Sequence, residues 1–336
     1  MARVLVTGVG GVGGVSSARW LLTETEHEPV GVDMNPRARG FFELDRWEVV
    51  PRADAPEWPA AMASVVTHHD VDAIVPLVDE ELARIEALRE AVSDEVAIVA
   101  PRPGAVEKTL DKRRFARWIE ATDLSAPESV CPDDEADLDA IDLSVPIVVK
   151  PRLGHGSTGV ERVDSIAALR AYFDRYPYEP GDVVCQESVD GAEFTTSVVS
   201  TTAGECLAVV PKAVVEKEGN TDWGVTRAKQ TVERTCREVH ETLDPRGPVN
   251  VQQIVDHESG EAKIVEINPR FSSTACLTAR AGVDEFDLLI RDALGESVDP
   301  PDGFETGIHL VRSSADRFAS GEELASRGLF DEGGQP

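Results

Sequence analysis

The chain has 336 residues, enough to form two or three compact cores, so we expect a multidomain protein. Its formal net charge is −29, from 62 acidic and 33 basic residues. Proteins that bind nucleic acid or anionic membranes need a positive surface, and this charge argues against both classes.

The basic residues include only seven lysines, and an acidic, lysine-poor composition is typical of proteins from salt-loving cytoplasms. We therefore expect a halophilic protein whose internal repulsion is screened by salt. The chain starts with a strand-like segment and a glycine loop, and it has no apolar stretch as long as a membrane span. Five scattered cysteines form no C-x-x-C pair, which favours reduced, buried thiols. These features predict a cytoplasmic location.

The first hundred residues alternate between strand-like and helix-like segments. Strands are predicted at 2–7, 29–33, 71–75 and 96–99. Helices are predicted at 15–22, 58–68 and 80–91, and His68 and His69 are interpreted as a helix end. This order predicts an α/β fold that begins with a Rossmann-like domain, residues 1–104, on a doubly wound parallel sheet.

The strand and helix patterns in the rest of the chain predict a second domain, residues 105–312, made of two α+β subdomains. A helix over 112–122 capped by Asp111, strands at 146–150 and 182–186, and a helix at 166–176 indicate a small lid over about residues 125–185. Further strands are predicted at 193–200, 206–210, 249–255 and 262–267, with helices at 229–243 and within 275–294. We expect the tail, residues 313–336, to be loosely held.

The run Glu266-Ile267-Asn268-Pro269-Arg270 ends the predicted strand 262–267. Side chains two residues apart in a strand share a face, so Glu266 and Asn268 can offer oxygen ligands to one Mg²⁺. Pro269 ends the strand, and Arg270 can present its planar guanidinium to a phosphoryl group. The alternative interpretation is an ordinary strand end with an asparagine turn and a surface arginine.

Two lysines and a glycine loop indicate an anion site. Lys112 lies at the start of a helix, where the macrodipole disfavours a cation, and this position is explained by an anion that it binds. Lys150 ends an apolar strand, and the loop after it contains Gly154, Gly156, Ser157 and Gly159. Glycines allow the backbone angles with which successive N–H groups surround a phosphate. A flexible hairpin is the alternative for this loop.

Taken in order, segments 109–115, 149–151, 154–159, 186–193, 250–252 and 266–270 resemble the ATP-grasp superfamily over roughly residues 100–300. The pattern is most similar to one synthetase unit of the carbamoyl-phosphate synthetase large subunit. The resemblance implies that Lys112, Lys150 and the glycine loop bind nucleotide phosphates and that the hinge from Glu187 to Val189 contacts adenine. It also implies that Glu193 binds the ribose and that Arg270 stabilises the transferred phosphoryl group, with Lys150 beside it. The implied Mg²⁺ ligands, which Mn²⁺ could share, are Gln252, Glu266 and Asn268.

The function implied by the resemblance is ATP-dependent ligation of a small carboxylate and an amine, in a protein that can form a homodimer. One departure concerns bicarbonate: relatives that phosphorylate it carry a second arginine where this chain has Ser273. A single synthetase unit without a glutaminase region is also not expected to make carbamoyl phosphate from glutamine. A non-catalytic ATP-binding protein of the same fold is the second hypothesis.

A third hypothesis comes from the N-terminal loop Thr7-Gly8-Val9-Gly10-Gly11-Val12-Gly13-Gly14, which Asp33 follows at the end of the next strand. This pattern is also the nicotinamide fingerprint of extended short-chain dehydrogenases. Their chemistry needs a Tyr-x-x-x-Lys pair, and none of the three tyrosines has a lysine four residues later. We therefore favour an acceptor-site domain over a working NAD site.

Overall fold

The computed structural model describes residues 1–143, 146–154, 156–313 and 316–328. Over these residues the chain forms three sheets of five, four and six strands. His155 of the glycine loop and the last eight residues of the tail lie outside this description. No helix in the described part of the chain is long and apolar enough to cross a membrane.

The N-terminal sheet is entirely parallel, with the strand order β3-β2-β1-β4-β5. Its strands are β1 (Arg3–Thr7), β2 (Glu28–Asp33), β3 (Trp47–Val49), β4 (Ala73–Val75) and β5 (Ala97–Ile98). Its helices are α1 (Val12–Glu24), α2 (Trp58–His68), α3 (Asp79–Leu82) and α4 (Ile85–Ala91). Apolar residues of the strands pack into two cores, one on each face, which explains the nearly continuous apolar strands in the sequence. The predicted Rossmann-like sheet is confirmed.

The predicted helix over 80–91 is wrong in one respect, because it is two helices separated at Ala83 and Arg84. Arg84 leaves the helical conformation, and its guanidinium donates hydrogen bonds to the carbonyls of Ala53 and Ala55 at 2.6 and 2.5 Å. A contact with a distant loop therefore interrupts a segment whose local pattern is helical. The three-residue strand β3 was not predicted, since Trp-Glu-Val is too short to show an alternating pattern.

A connecting pair of helices, α5 (Pro103–Thr109) and α6 (Lys112–Glu120), leads into the four-stranded sheet. We call this unit the lid sheet, and its strand order is β6-β9-β7-β8 with antiparallel neighbours. The strands are β6 (Ser129–Val130), β7 (Ile147–Pro151), β8 (Glu161–Val163) and β9 (Val183–Glu187), with helices α7 (Glu135–Asp139) and α8 (Ile166–Arg175). A separate apolar core around Tyr172 and Leu169 holds the unit together.

The six-stranded sheet is antiparallel, in the order β14-β13-β10-β11-β12-β15. Its strands are β10 (Gly191–Ser200), β11 (Cys206–Glu218), β12 (Asn220–Thr226), β13 (Val249–Asp256), β14 (Ala262–Asn268) and β15 (His309–Val311). Helix α9 (Gln230–Leu243) packs on one face through a core that includes Cys236, Val198 and Ile264. Helices α10 (Ala275–Arg280) and α11 (Glu285–Ala293) lie on the other face, whose core continues into the N-terminal sheet. The predicted second part of two α+β units is confirmed.

Strand β11 continues eight residues beyond the predicted end at 210, and β12 and β15 were not predicted. The lysine and glutamates from Lys212 onward resemble a loop, yet Lys212 is fully buried. Its ammonium donates to Ser197 Oγ at 2.6 Å and to Thr278 Oγ1 at 2.7 Å, which offsets the cost of burying it. Burial still lowers the pKa of Lys212 to about 8.

The expectation of a loosely held tail stays a prediction, and the described part of the tail contains one short helix. Helix α12 (Gly321–Ser326) begins at a Ser320 cap, and the Arg327 guanidinium donates to the carbonyls of Phe41 and Leu44 at 2.6 and 2.7 Å. Arg327 thus contacts the N-terminal domain. The domain boundaries at 104 and 312 and the lid limits 125–185 stay predictions.

Candidate functional site

A cleft of about 300 Å³ lies between the lid sheet and the face of the six-stranded sheet that carries α10 and α11. Its wall contains twelve of the residues that the sequence analysis singled out for a nucleotide and metal site. They are Lys112, Lys150, Gly154, Gly156, Ser157, Glu187, Val189, Glu193, Gln252, Glu266, Asn268 and Arg270. Gly159 is the exception. The structure thus brings together residues that lie up to 158 positions apart in the sequence (270 minus 112).

Strand pairing places the predicted metal ligands side by side. Gln252 of β13 pairs directly with Glu266 of β14, and Asn250 pairs with Asn268. Thr195 of β10 pairs with Gln252 from the other side and donates a hydrogen bond to Asn250 Oδ1 at 2.7 Å. Directly paired side chains in an antiparallel sheet lie about 5 Å apart. Carboxylate and amide oxygens therefore meet on one face, which suits a hard cation such as Mg²⁺.

A β-bulge aims these ligands. The register of β13 and β14 shifts between Gln252 and Gln253, so that Val265 is an extra residue without its own partner. Ile264 and Ile267 both face the α9 core, although they are three residues apart. Glu266 and Asn268 consequently face the cleft. In a regular strand Ile264 would share their face, so the bulge is what separates the apolar from the polar set.

Lys112 is the first residue of α6, and its ammonium already has anionic and polar partners. It lies 3.0 Å from Glu266 Oε1 and donates to the Gly154 carbonyl at 2.9 Å. Asp111 caps the helix by accepting the N–H groups of Arg113 and Arg114. Lys112 thus connects strand β14 to the glycine loop, and Glu266 supplies the anion expected beside this helix start in this structure.

Lys150, at the end of β7, is half-buried. Its ammonium donates to Gln186 Oε1 at 2.7 Å and to the Val265 carbonyl, on the bulge, at 3.4 Å. Burial lowers the pKa of Lys150 to about 8, the nearby Glu266 carboxylate opposes this shift, and Lys112 adds to it. A lysine with this pKa changes its charge close to neutral pH.

We expect nucleotide affinity to weaken as pH rises from 7.5 to 9.5. The Lys150 ammonium, which attracts phosphate, is present below its pKa of about 8 and is lost above it. A charge-assisted hydrogen bond is worth roughly 1.5–3 kcal/mol, so the Kd for ADP should increase about tenfold. Isothermal titration calorimetry should also show proton uptake on binding near pH 8.

Lys150→Met should bind ADP weakly and without this pH dependence. Lys229→Met, at an exposed position before α9, is the matched control and should keep the wild-type slope. A wild-type Kd that does not change between pH 7.5 and 9.5 would contradict the assignment of Lys150 to phosphate binding.

The glycine loop has the left-handed backbone that a phosphate-binding loop needs. Residues Gly154, Gly156 and Ser157 have φ angles of +125°, +64° and +58°. Gly159 also has a positive φ, +71°, but a Cβ there would lie 2.8 Å from Pro151 Cγ. The positive φ and the close packing explain why position 159 is a glycine, and no bound ligand is needed for that explanation. Gly159 also lies outside the wall of the cleft. Its phosphate-binding role stays a prediction.

The residues predicted to contact adenine and the ribose already have protein contacts. The Glu187 N–H donates to the Glu128 carbonyl at 2.8 Å and the Ser188 N–H to the Pro146 carbonyl at 3.2 Å. Glu193 accepts a hydrogen bond from Lys217 Nζ at 2.6 Å. Lys217 lines the cleft, and the sequence analysis did not assign it. The scarcity of lysine could have pointed to Lys217 as a candidate, since it is one of only seven lysines in the chain.

Arg270 is held by the N-terminal domain. Its Nε donates to Asp79 Oδ1 at 2.7 Å, and its Nη2 donates to Asn268 Oδ1 at 3.3 Å. Asp79 begins α3, which is anchored because Thr7 Oγ1 donates to buried Glu81. Burial raises the pKa of Glu81 to about 8. Asp79 therefore fixes the direction of Arg270, a role that its sequence context did not reveal.

Arg312 is a second arginine near the cleft that the sequence analysis missed. It donates to the Thr221 carbonyl at 2.8 Å, to Ser16 Oγ at 2.9 Å and to the Ser273 carbonyl. Arg312 also lines a second cavity of about 1100 Å³ together with Gly10 and Gly11 of the N-terminal loop. The Arg312 guanidinium thus contacts Ser273, the position at which bicarbonate-phosphorylating relatives were expected to carry a second arginine.

The N-terminal glycine loop uses Asp33 to hold its own backbone. Asp33 Oδ2 accepts the Gly10 N–H at 2.7 Å, and Oδ1 accepts the Asn35 N–H at 2.8 Å. A nicotinamide ribose would have to compete for this carboxylate. Tyr172, one of the three tyrosines, lies in the lid sheet and donates to the Gly159 carbonyl at 2.7 Å. These contacts favour an acceptor-site domain over a dehydrogenase.

Residues 109–274 match the family described as ATP-grasp domain. The chain is 25% identical over 232 residues to the carbamoyl phosphate synthase large chain of Caldanaerobacter subterraneus subsp. tengcongensis, covering 64% of this chain and 21% of the relative. It is 32% identical over 117 residues to the D-alanine–D-alanine ligase of Cupriavidus taiwanensis, covering 34% of this chain and 35% of that ligase. The chain therefore spans only a fifth to a third of these two relatives.

The fold is also similar to a solved structure, N5-carboxyaminoimidazole synthetase from Staphylococcus aureus complexed with ADP. The TM-score is 0.72 at 15% sequence identity, and the match covers 91% of this chain and 80% of that one. At this identity the likeness shows a shared fold.

Proposed function

We propose that this chain, whose residues 109–274 form an ATP-grasp domain, is an ATP- and Mg²⁺-dependent ligase. It activates a small carboxylate as an acyl phosphate, and an amine then displaces the phosphate. The observation that carries this proposal is the pairing of Gln252 with Glu266 beside Asn268, in the same cleft as Lys112 and Lys150. Both relatives named above are also enzymes whose names denote synthesis or ligation.

The residues present fit Mg²⁺ and a nucleotide. The candidate ligand side chains offer oxygen atoms, which suits Mg²⁺ or Mn²⁺. When bound, the metal neutralises phosphate charge during transfer. If Glu266 bound a metal, Lys112 would lose its present counter-ion, and a phosphate group could replace it. The Lys112 and Glu266 side chains therefore suit the cleft both with and without a bound metal and phosphate.

The other side chains position the reactants. Arg270, held by Asp79, can direct its remaining N–H groups to the transferred phosphoryl group, where developing charge needs stabilisation. The acceptor carboxylate would bind near Arg270 and Ser273, which both line the cleft. Positioning and charge stabilisation suffice for this chemistry, so no nucleophilic side chain is required.

A screen for ADP and phosphate release over pairs of carboxylates and amines tests the proposal. We expect release to require Mg²⁺ and both organic substrates. Release with no dependence on any pair, or no release at all, would favour the non-catalytic ATP-binding alternative. An absorbance titration with NADH tests the dehydrogenase alternative, and we expect no binding. We also propose a cytoplasmic protein that forms a homodimer.

The glycine loop should become protected when nucleotide binds. It rests on the β11–β12 hairpin, since a Cβ on Gly219 would lie 2.9 Å from the Gly156 carbonyl oxygen. Bound polyphosphate would order residues 152–160 and exclude water from a reactive acyl phosphate. We expect Mg²⁺-ATP to slow backbone hydrogen exchange there by about tenfold or more, as for a binding energy above 1.4 kcal/mol.

Lys150→Ala should lose most of this protection, whereas Lys229→Ala, which changes an exposed lysine, should retain it. Equal exchange of residues 152–160 with and without saturating Mg²⁺-ATP would refute both the lid and the phosphate role of the loop.

A further inference from the structure

Two histidines and a glutamate meet on the N-terminal domain, outside the cleft. His68 is the last residue of α2, His69 follows it, and Glu48 lies in the edge strand β3. His68 Nδ1 lies 3.0 Å and His69 Nε2 lies 3.3 Å from the same oxygen, Glu48 Oε1. The three ligand atoms all lie within 4.8 Å of one another. The two imidazole rings are 4.5 Å apart between centroids.

The backbone around these side chains is well fixed. The His69 N–H donates to the Val65 carbonyl at 3.0 Å, and the His69 carbonyl accepts from the Arg3 guanidinium. Asp70 then turns the chain with a φ of 49°. On the other side, Glu48 is hydrogen-bonded into the sheet opposite Val32. The histidine pair and the carboxylate are therefore brought together by two separate elements and need little rearrangement to bind a ligand jointly.

We propose that Glu48, His68 and His69 form a binding site for a divalent transition metal such as Zn²⁺ or Co²⁺. Two imidazole nitrogens and one carboxylate oxygen are ligands that these ions prefer, whereas Mg²⁺ prefers oxygen alone. In this structure Glu48 Oε1 lies close to a ring nitrogen of both histidines, so one cation could contact all three atoms. The net charge of −29 further attracts cations.

Such a site would connect the edge strand β3 to the end of α2. His68 is largely exposed, with 70% of its side chain accessible, so the metal keeps positions open to water. The site is independent of the proposed ligase activity, because its three residues do not line the cleft.

Co²⁺ titration of the full chain in excess Mg²⁺ tests the site, since Mg²⁺ competes for oxygen ligands such as those of the cleft and does not favour imidazole. We expect one Co²⁺ per chain, with d–d absorption typical of nitrogen ligation, and a rise in Tm that Zn²⁺ also produces. His68→Gln and Glu48→Gln should each weaken binding about tenfold or more. His257→Gln, at an exposed histidine elsewhere, is the matched control and should bind like the wild type.

The variants should have the wild-type Tm in EDTA, which separates lost ligation from lost folding. Co²⁺ binding that survives unchanged in His68→Gln and Glu48→Gln would overturn the proposal. The absence of a bound ion in the wild type at millimolar Co²⁺ would overturn it as well. Neither result bears on ATP turnover, which is measured separately.

Discussion

Glu266→Gln should reduce ATP turnover by about 100-fold or more, because the amide no longer supplies the negative charge that holds a divalent metal, a contribution of several kcal/mol. The substitution preserves the size of the side chain and its place opposite Gln252. It also removes the counter-ion of Lys112, 3.0 Å away. Nucleotide binding should weaken less, since the contacts proposed for the hinge and Lys150 do not involve the Glu266 carboxylate.

Steady-state phosphate release and ADP calorimetry measure these two effects. Glu258→Gln makes the same chemical change at an exposed position in the turn between β13 and β14, and it should turn over like the wild type. Unchanged turnover in Glu266→Gln would remove the metal assignment from the whole Gln252, Glu266 and Asn268 set.

Arg270→Lys should lower kcat by about 100-fold while the KM for ATP changes only a few-fold. Lysine keeps the positive charge but loses the planar fork that bonds Asp79 and Asn268 together. Removing one donor aimed at developing charge typically costs about 100-fold to 1000-fold in kcat. Arg234→Lys, on the exposed side of α9, is the matched control. A lowered affinity for ATP with unchanged kcat would place Arg270 in ground-state binding.

Asp79→Asn tests whether Arg270 needs its support from the N-terminal domain. Asparagine retains an acceptor oxygen but not the charge, so the ion pair at 2.7 Å weakens. Both partners are largely buried, with 16% and 17% of their side chains exposed, so the pair is screened less than a surface pair. We expect kcat to fall about tenfold with an unchanged ADP Kd, and Tm to fall because the buried Arg270 charge loses its anionic partner. Wild-type kcat in Asp79→Asn would show that Arg270 is oriented by Asn268 alone.

Local pattern was sufficient for several elements of this chain. Helix α2 begins and ends where the apolar spacing predicted, and Asp111 caps α6 through its side chain. The start of β14 at Ala262 was also predicted, because apolar alternation is a property of neighbouring residues. The clustering of Lys112, Lys150 and Glu266 followed from the resemblance of their order to a known family, and the cleft brings them together.

The sequence by itself indicated most of the residues whose chemistry suits the cleft, because strand faces, helix caps and the scarcity of lysine can be recognised from neighbouring residues and composition. The tertiary structure decided how they are aimed. The bulge at Val265 depends on pairing with β13, and the Asp79–Arg270 contact joins residues 191 positions apart. Glu48 and His68 likewise meet because the fold places the edge strand β3 next to the end of α2. Such contacts depend on packing between distant segments, which no local periodicity encodes.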